Sequence, residues 1–332
     1  AVNGTDNSYQ LKIEKAITVK VSFEAIPPTK YTVTLNQTTH GKVTASPEIP
    51  ADGKVGENTV ITFTAEPDNE YKVDKWTITG GAFEAGTGTD GSLTAKVKVN
   101  ANITVTVSFK SLYVQVAYDK LAEYLQNTAS ATDVNYIEVT GLTKADLEER
   151  YNDSCKLGDK LKAHPTKKVA LELPKEVEGL TDTSFRTCTS LVSVRNIPKS
   201  VRSMKNCFSS CTSLKYVSEV PSGITNMQGC FLGCTALTEA PTIPSGVTTM
   251  IKCFSGCTAL TSVTLKCNYD PVNVSLENTF QNCTALGEKS IKVPQAYYGN
   301  YTTAEALNSM AVPGDNEAEK KAKFEGVAEL NP

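Results

Sequence analysis

Between Phe185 and Leu286 the motif F-x-x-C-T-[SA]-L occurs at Phe185-Cys188-Leu191, Phe208-Cys211-Leu214, Phe231-Cys234-Leu237, Phe254-Cys257-Leu260 and Phe280-Cys283-Leu286, at intervals of 23, 23, 23 and 26 residues. A short fixed period with apolar residues at one phase makes each copy a unit that cannot bury its own hydrophobic face and relies on its neighbours to cover it. Such a chain is constrained to a stack of coils, and the stack presents a surface suited to binding.

One coil shows the division of labour. Leu214, Val217 and Val220 point inward from an extended stretch, Pro221 ends it, Ile224 and Met227 form a second inward pair, and Phe231 with Cys234 close the turn. Leu237, Ala240, Ile243, Pro244, Val247, Met250, Phe254 and Cys257 fill the same places in the next copy, and Val169-Leu171-Leu173-Pro174 begins the array. The proline lacks an N–H and cannot continue a strand ladder, so it forces the turn at one place in each coil. Five to six coils are expected between residues 167 and 295.

The pattern L-x-x-[VI]-x-x-[VI]-P-x-x-[VI]-x-x-M-x-x-C-F-x-x-C-T-[SA]-L resembles the BspA or Treponema type of leucine-rich repeat, found on surface proteins of anaerobic and gut bacteria. The resemblance implies an α/β leucine-rich-repeat solenoid with one parallel sheet face. Three coils depart from the family by one extra residue before the proline, which leaves the strand register open.

Composition shifts near residue 111. Residues 30 to 110 alternate, as in Tyr31-Val33-Leu35, Leu93-Ala95-Val97-Val99 and Ile103-Val105-Val107-Phe109, which predicts strands with one buried face. Ile17 to Phe23 matches Ile103 to Phe109 at a separation of 86 residues, so residues 1–26 read as the end of a preceding β-repeat copy. Gly41-Lys42-Val43, the Thr-rich run Thr59 to Ala65, and Tyr71-Lys72-Val73 followed by Trp76 make residues 29–110 similar to the divergent internalin-type B-repeat, a spacer module of bacterial surface proteins. Trp76 is expected in the core of that module.

Residues 111–166 are mixed: Ala117, Leu121 and Leu125 follow helical spacing within Tyr113 to Asn127, Tyr136 to Val139 reads as a strand, and Thr143 opens a T-x-x-D capping box. The expected architecture is therefore multidomain. A small β-rich module, β-grasp-like or β-sandwich-like, at 29–110 precedes the solenoid at 167–295, which lies between a mixed α/β N-terminal cap at 111–166 and a C-terminal cap at 296–332.

Of the ten cysteines, Cys188, Cys211, Cys234, Cys257 and Cys283 form one ladder and Cys207, Cys230 and Cys253 another, with Cys155 and Cys267 outside both. They read first as small apolar residues that let coils approach. Neighbouring coils also bring them near bridging distance, and C-x-x-x-C has ligand-like spacing, yet recurrence once per coil is what packing predicts. No metal and no cofactor is expected.

A net charge of -3 leaves no surplus of basic residues for phosphates, so nucleic acid is not an expected partner. No apolar run approaches the roughly 20 residues of a membrane span, and a chain that starts at Ala1 reads as a mature or trimmed product; the resemblance to repeats of bacterial surface proteins implies the cell surface or extracellular space. His40 and His164 lie in turn and loop contexts, the Glu148-Glu149 pair reads as a solvated face, and no nucleophile, phosphate-loop or zinc-protease motif is present, so no catalytic residue is assigned. The expected ligand face is the outward side of the strands: Ser193, Arg195, Asn196, Lys215, Tyr216, Ser218, Glu219, Glu239 and Thr242, with Tyr269 and Asp270 on a loop made by the longer 26-residue interval. Tyr216 and Arg195 are the residue types that dominate interfaces. Tyr297, Tyr298 and Tyr301 read as part of the cap. The functional expectation is a non-enzymatic, adhesin-like protein that binds a protein or glycan of a host or bacterial surface, against the alternative of a structural stalk; oligomeric state is left open.

Overall fold

The computed structural model describes residues 27–37, 39–148 and 154–330, with Lys15, Thr18 and Lys20. The expected preceding copy over residues 1–26, and Glu149, thus lie outside the described residues apart from those isolated positions. Contacts divide the chain between Ser111 and Leu112 into two compact units.

The first unit contains β1 (Lys30–Gln37), β2 (Gly41–Ser46), β3 (Lys54–Gly56), β4 (Val60–Pro67), β5 (Tyr71–Thr79), β6 (Thr94–Lys98) and β7 (Ile103–Ser111). They form a four-stranded sheet ordered β3-β1-β7-β5 and a three-stranded antiparallel sheet ordered β2-β4-β6. In the first sheet β1 runs parallel to β7 and the other pairs are antiparallel. Alternation places Ile61, Phe63 and Ala65 of one sheet in a shared core with Val33, Trp76, Val105 and Val107 of the other. Trp76 is buried, its indole N–H donating to the Ser92 carbonyl at 2.8 Å. Because no helix occurs among the described residues of this unit, the module is sandwich-like, and the β-grasp alternative is corrected.

The second unit opens with β8 (Val114–Ala117), α1 (Leu121–Asn127), β9 (Asn135–Thr140), α2 (Lys144–Leu147) and α3 (Lys156–Lys162). Helical spacing from Tyr113 was expected, but Val114 to Ala117 pair parallel with Ile137 to Thr140, and the helix begins at Leu121. Sheet pairing overrides the local period there. Thr143 and Asp146 form the expected capping box. β10 (Val169–Glu172), β11 (Leu191–Arg195) and β12 (Tyr216–Val217) continue the sheet in the order β12-β11-β10-β9-β8, every pair parallel. Farther along, β13 (Val263–Thr264), β14 (Ile291–Pro294) and β15 (Phe324–Val327) make a separate parallel sheet, with α4 (Tyr298–Tyr301), α5 (Ala304–Ser309) and α6 (Glu317–Ala322) between its last two strands.

The repeats hold no helix between Lys162 and Gln295 among the described residues, which corrects the α/β expectation for the coils themselves. The reason lies in backbone chirality. Asn206 and Ser210, Gly229 and Gly233, Lys252 and Gly256, and Asn278 and Asn282 adopt positive φ, two per copy and four residues apart. An α-helix does not tolerate left-handed residues at that spacing, and Asn and Gly are the types that adopt the conformation most readily. The run instead turns repeatedly and sends alternate N–H groups to the next copy. Met227, Gly229, Phe231 and Gly233 donate to the carbonyls of Thr249, Ile251, Cys253 and Ser255 at 2.8–2.9 Å, and Met250, Lys252, Phe254 and Gly256 donate to Ser275, Glu277, Thr279 and Gln281 at 2.8–3.0 Å.

Side chains stack in the same columns. The rings of Phe185, Phe208, Phe231, Phe254 and Phe280 lie 5.5–6.1 Å apart, almost parallel and fully buried. The thiols of Cys211, Cys234, Cys257 and Cys283 donate to the carbonyls of Phe185, Phe208, Phe231 and Phe254 at 3.0–3.1 Å. Cysteine is thus small enough for close stacking, and its thiol adds a second donor to a carbonyl that already accepts the backbone N–H three residues on, as Phe208 does from Cys211 and from the Cys234 thiol. All ten cysteines are buried thiols.

Burial pushes these thiols up, Cys155 to about 11 and Cys211 and Cys283 to about 12, from an ordinary value of 9.0. Unfolded thiols therefore ionise first as pH rises. Their contribution to stability is complete below about pH 9 and is lost as pH climbs towards 12. The melting temperature is expected to be level between pH 7 and 8 and to fall progressively above pH 9, and a thiol-reactive disulfide reagent at pH 8 should label the native protein slowly and the unfolded protein at all ten positions. Rapid labelling of most thiols in native protein would contradict the packing.

Candidate binding face

Parallel register aligns side chains of one face into rows across the sheet β12-β11-β10-β9-β8. One row passes through Tyr136, Ala170, Ser193 and Tyr216; the next passes through Gln115, Glu138, Glu172 and Arg195. In the second row Gln115 donates to Glu138 at 3.1 Å, Asn196 donates to Glu172 at 2.9 Å, and the Arg195 guanidinium lies 3.7 Å from the Glu172 carboxylate. Arg195 also covers the Tyr113 ring at 5.0 Å, and Tyr113 meets Tyr136 edge-on with centroids 5.5 Å apart. The cation is held in place by an aromatic face and a half-buried carboxylate.

Beside these rows runs a groove of about 1140 Å³. Arg195, Tyr216, Ser218, Glu219 and Glu239 all line it, with Asn196 and Thr242 from the same outward set and the cations Lys199 and Lys266. Tyr216 is the exposed aromatic of the groove, at 49%. Ser193 is buried rather than outward, because its short side chain sits in the row between Ala170 and Tyr216. Tyr113 and Tyr136 were missed because they belong to segments ahead of the repeats, whereas Glu172 stands one 23-residue period before Arg195, a signal that could have found it.

The loop residues are corrected. Tyr269 is buried, packs against Tyr301 at 5.2 Å, and burial raises its hydroxyl pKa. Asp270 closes its own turn, accepting from Val272 N–H at 3.0 Å and from the Asn273 side chain at 2.6 Å. Neither lines the groove. Tyr301 is fully buried against Phe324, with its hydroxyl donating to the Cys267 carbonyl at 2.7 Å, and Tyr297 and Tyr298 pack partly buried on the same core.

The histidines have local roles: His40 stacks on Tyr71 at 4.1 Å, and His164 Nδ1 lies 3.0 Å from the Lys160 carbonyl. Among the described residues no helix is long and apolar enough to cross a membrane, and no three His, Cys, Asp or Glu side chains gather as metal ligands would.

Substitutions separate the face from the core beneath it. Tyr216→Ala is expected to change unfolding free energy by less than about 0.5 kcal/mol, as at an exposed surface site, whereas Phe231→Ala should cost about 3–5 kcal/mol. Urea denaturation of both variants checks this, and a large loss for Tyr216→Ala would show that the ring is structural.

Comparison with known families assigns two regions. Residues 164–287 match the family described as a BspA type leucine-rich repeat region, in six copies. Residues 31–112 match the divergent InlB B-repeat domain. No curated protein and no solved structure matches the chain.

Proposed function

From a chain that joins a divergent InlB B-repeat domain to a BspA-type leucine-rich repeat region, we propose a non-enzymatic interaction protein of a bacterial surface. Both families are typical of bacterial surface proteins, and leucine-rich repeats generally mediate protein interactions. In this reading the copies form a solenoid, residues 111–166 cap its first coil and 296–332 its last, and the β module acts as a spacer. Supporting the capped solenoid, β8 and β9 extend the parallel sheet ahead of the first copy, and Tyr301, Leu307, Met310 and Phe324 continue the buried core beyond the last.

The observation that carries the binding role is the convergence of Arg195, Tyr216, Ser218, Glu219 and Glu239 on one groove. These residues come from three successive copies. A stalk with no soluble ligand has no need of a continuous groove with an exposed tyrosine and fixed charges, and the favoured partner is a protein. Its placement outside the cell or on its surface follows from the families and is part of the proposal.

The test uses the intact chain, immobilised and probed with envelope proteins, mucus proteins and a glycan array, beside Tyr216→Ala/Arg195→Ala and the exposed control Thr235→Ala. A protein partner should be lost by at least about tenfold, or ~1.4 kcal/mol, in the double variant and kept in the control. Undiminished binding by the double variant, or binding to glycans alone, would overturn the assignment.

A further inference from the structure

Arg195 and Tyr113 meet across most of a sheet. Arg195 ends β11, Tyr113 directly precedes β8, and β10 and β9 run between them. Three strand spacings of roughly 4.8 Å put their backbones at least roughly 14 Å apart, yet the guanidinium lies 5.0 Å from the centre of the Tyr113 ring. Neither side chain spans that width alone. Both therefore lie along the face of the sheet and meet above the intervening strands.

The residues beneath agree with this. Ala170 and Ser193 stand in the row beside that of Glu172 and Arg195, on the same face, and are only 1% and 4% exposed. Small side chains on the outer face of a sheet are buried only when longer ones lie over them, and an alanine leaves room for that. The pair is also braced from the side. Tyr136 meets the Tyr113 ring edge-on at 5.5 Å, the Glu172 carboxylate lies 3.7 Å from the guanidinium, and Asn196 donates to Glu172 at 2.9 Å. A guanidinium stacked on a ring and flanked by a carboxylate keeps its charge and loses most of its freedom to swing.

The repeat does not supply this arrangement again. At the 23-residue period the column reads Glu172, Arg195, Ser218 and Pro241, so it holds one cation, and the aromatic platform comes from the segment ahead of the copies. Arg195 lines the groove while Tyr113 and Tyr136 do not. We propose that Tyr113 is a positioning residue of the binding face, holding the Arg195 side chain down over Ala170 before a partner arrives, so that residues 111–166 belong to the recognition site as well as covering the first coil. The proposal rests on the groove reading above. An arginine fixed in advance loses less side-chain freedom on contact, and the surplus appears as affinity.

Two measurements on the intact chain test this. Phenylglyoxal modification, read by mass spectrometry, reports how free each arginine is. Tyr113→Ala should speed modification of Arg195 by about threefold or more and leave Arg186 and Arg202 unchanged, Tyr113→Phe should keep the native rate, and Ala170→Leu should speed it with Tyr113 in place. The second probe is the protein captured by the intact chain in the experiment above. Its affinity should fall about fivefold on Tyr113→Ala, the size of one partly desolvated cation–π contact, and recover with Tyr113→Phe. Tyr113→Ala/Arg195→Ala should bind no more weakly than Arg195→Ala alone, because Tyr113 acts through the arginine. An unchanged modification rate in Tyr113→Ala, or additive losses in the double variant, would overturn the proposal. If Tyr113→Ala frees Arg195 but binds as before while Tyr216→Ala/Arg195→Ala does not, the positioning role fails and the groove assignment stands; if that double variant also binds as before, both fail.

Discussion

Everything in the repeat region depends on backbone hydrogen bonds between turns of successive copies. A conventional leucine-rich coil is read through its strands, but here the strands are short and the sheet is broken in two. Continuity comes from the other side, where alternate N–H groups of each turn run meet carbonyls of the next. Left-handed residues at Asn206, Gly229, Lys252 and Asn278 set the direction of those groups. Phenylalanine rings and cysteine thiols then fill the space that this spacing leaves. Since a single coil buries almost nothing alone, stability accrues at the interfaces between coils, as in a one-dimensional array.

The turn side carries a continuous series of bonds between copies, and the sheet side presents Arg195, Tyr216, Glu219 and Glu239 to one groove. The groove follows the repeat, with 195–199, 216–222 and 239–245 supplying lining residues at the same phase, among them exposed Tyr216, Glu219 and Glu239.

The period, the buried columns, the cysteine environment and the β-rich first module were legible in the sequence because all are one-dimensional patterns. Seven of the groove residues were also legible, since they alternate with buried positions whose phase the repeat defines. Three features were not. The turn run carries apolar spacing compatible with a helix, and only the positive φ of its Asn, Ser and Gly residues excludes one. The 26-residue interval looked like a projecting loop, yet Tyr269 folds inward because Tyr301, 32 residues later, offers it an aromatic partner. Tyr113 and Tyr136 come alongside Arg195 across the parallel sheet, a non-local relation that spacing along the chain does not encode, whereas Glu172 lies one 23-residue period before Arg195.

Native-state hydrogen exchange is the most direct test of the stack. The amides of Phe185, Phe208, Phe231 and Phe254, each bonded to the following copy, are predicted to exchange slowly and to lose protection together as denaturant is added. Exchange of these amides at the rate of exposed backbone, or independently of one another at low denaturant, would contradict a shared dry interior.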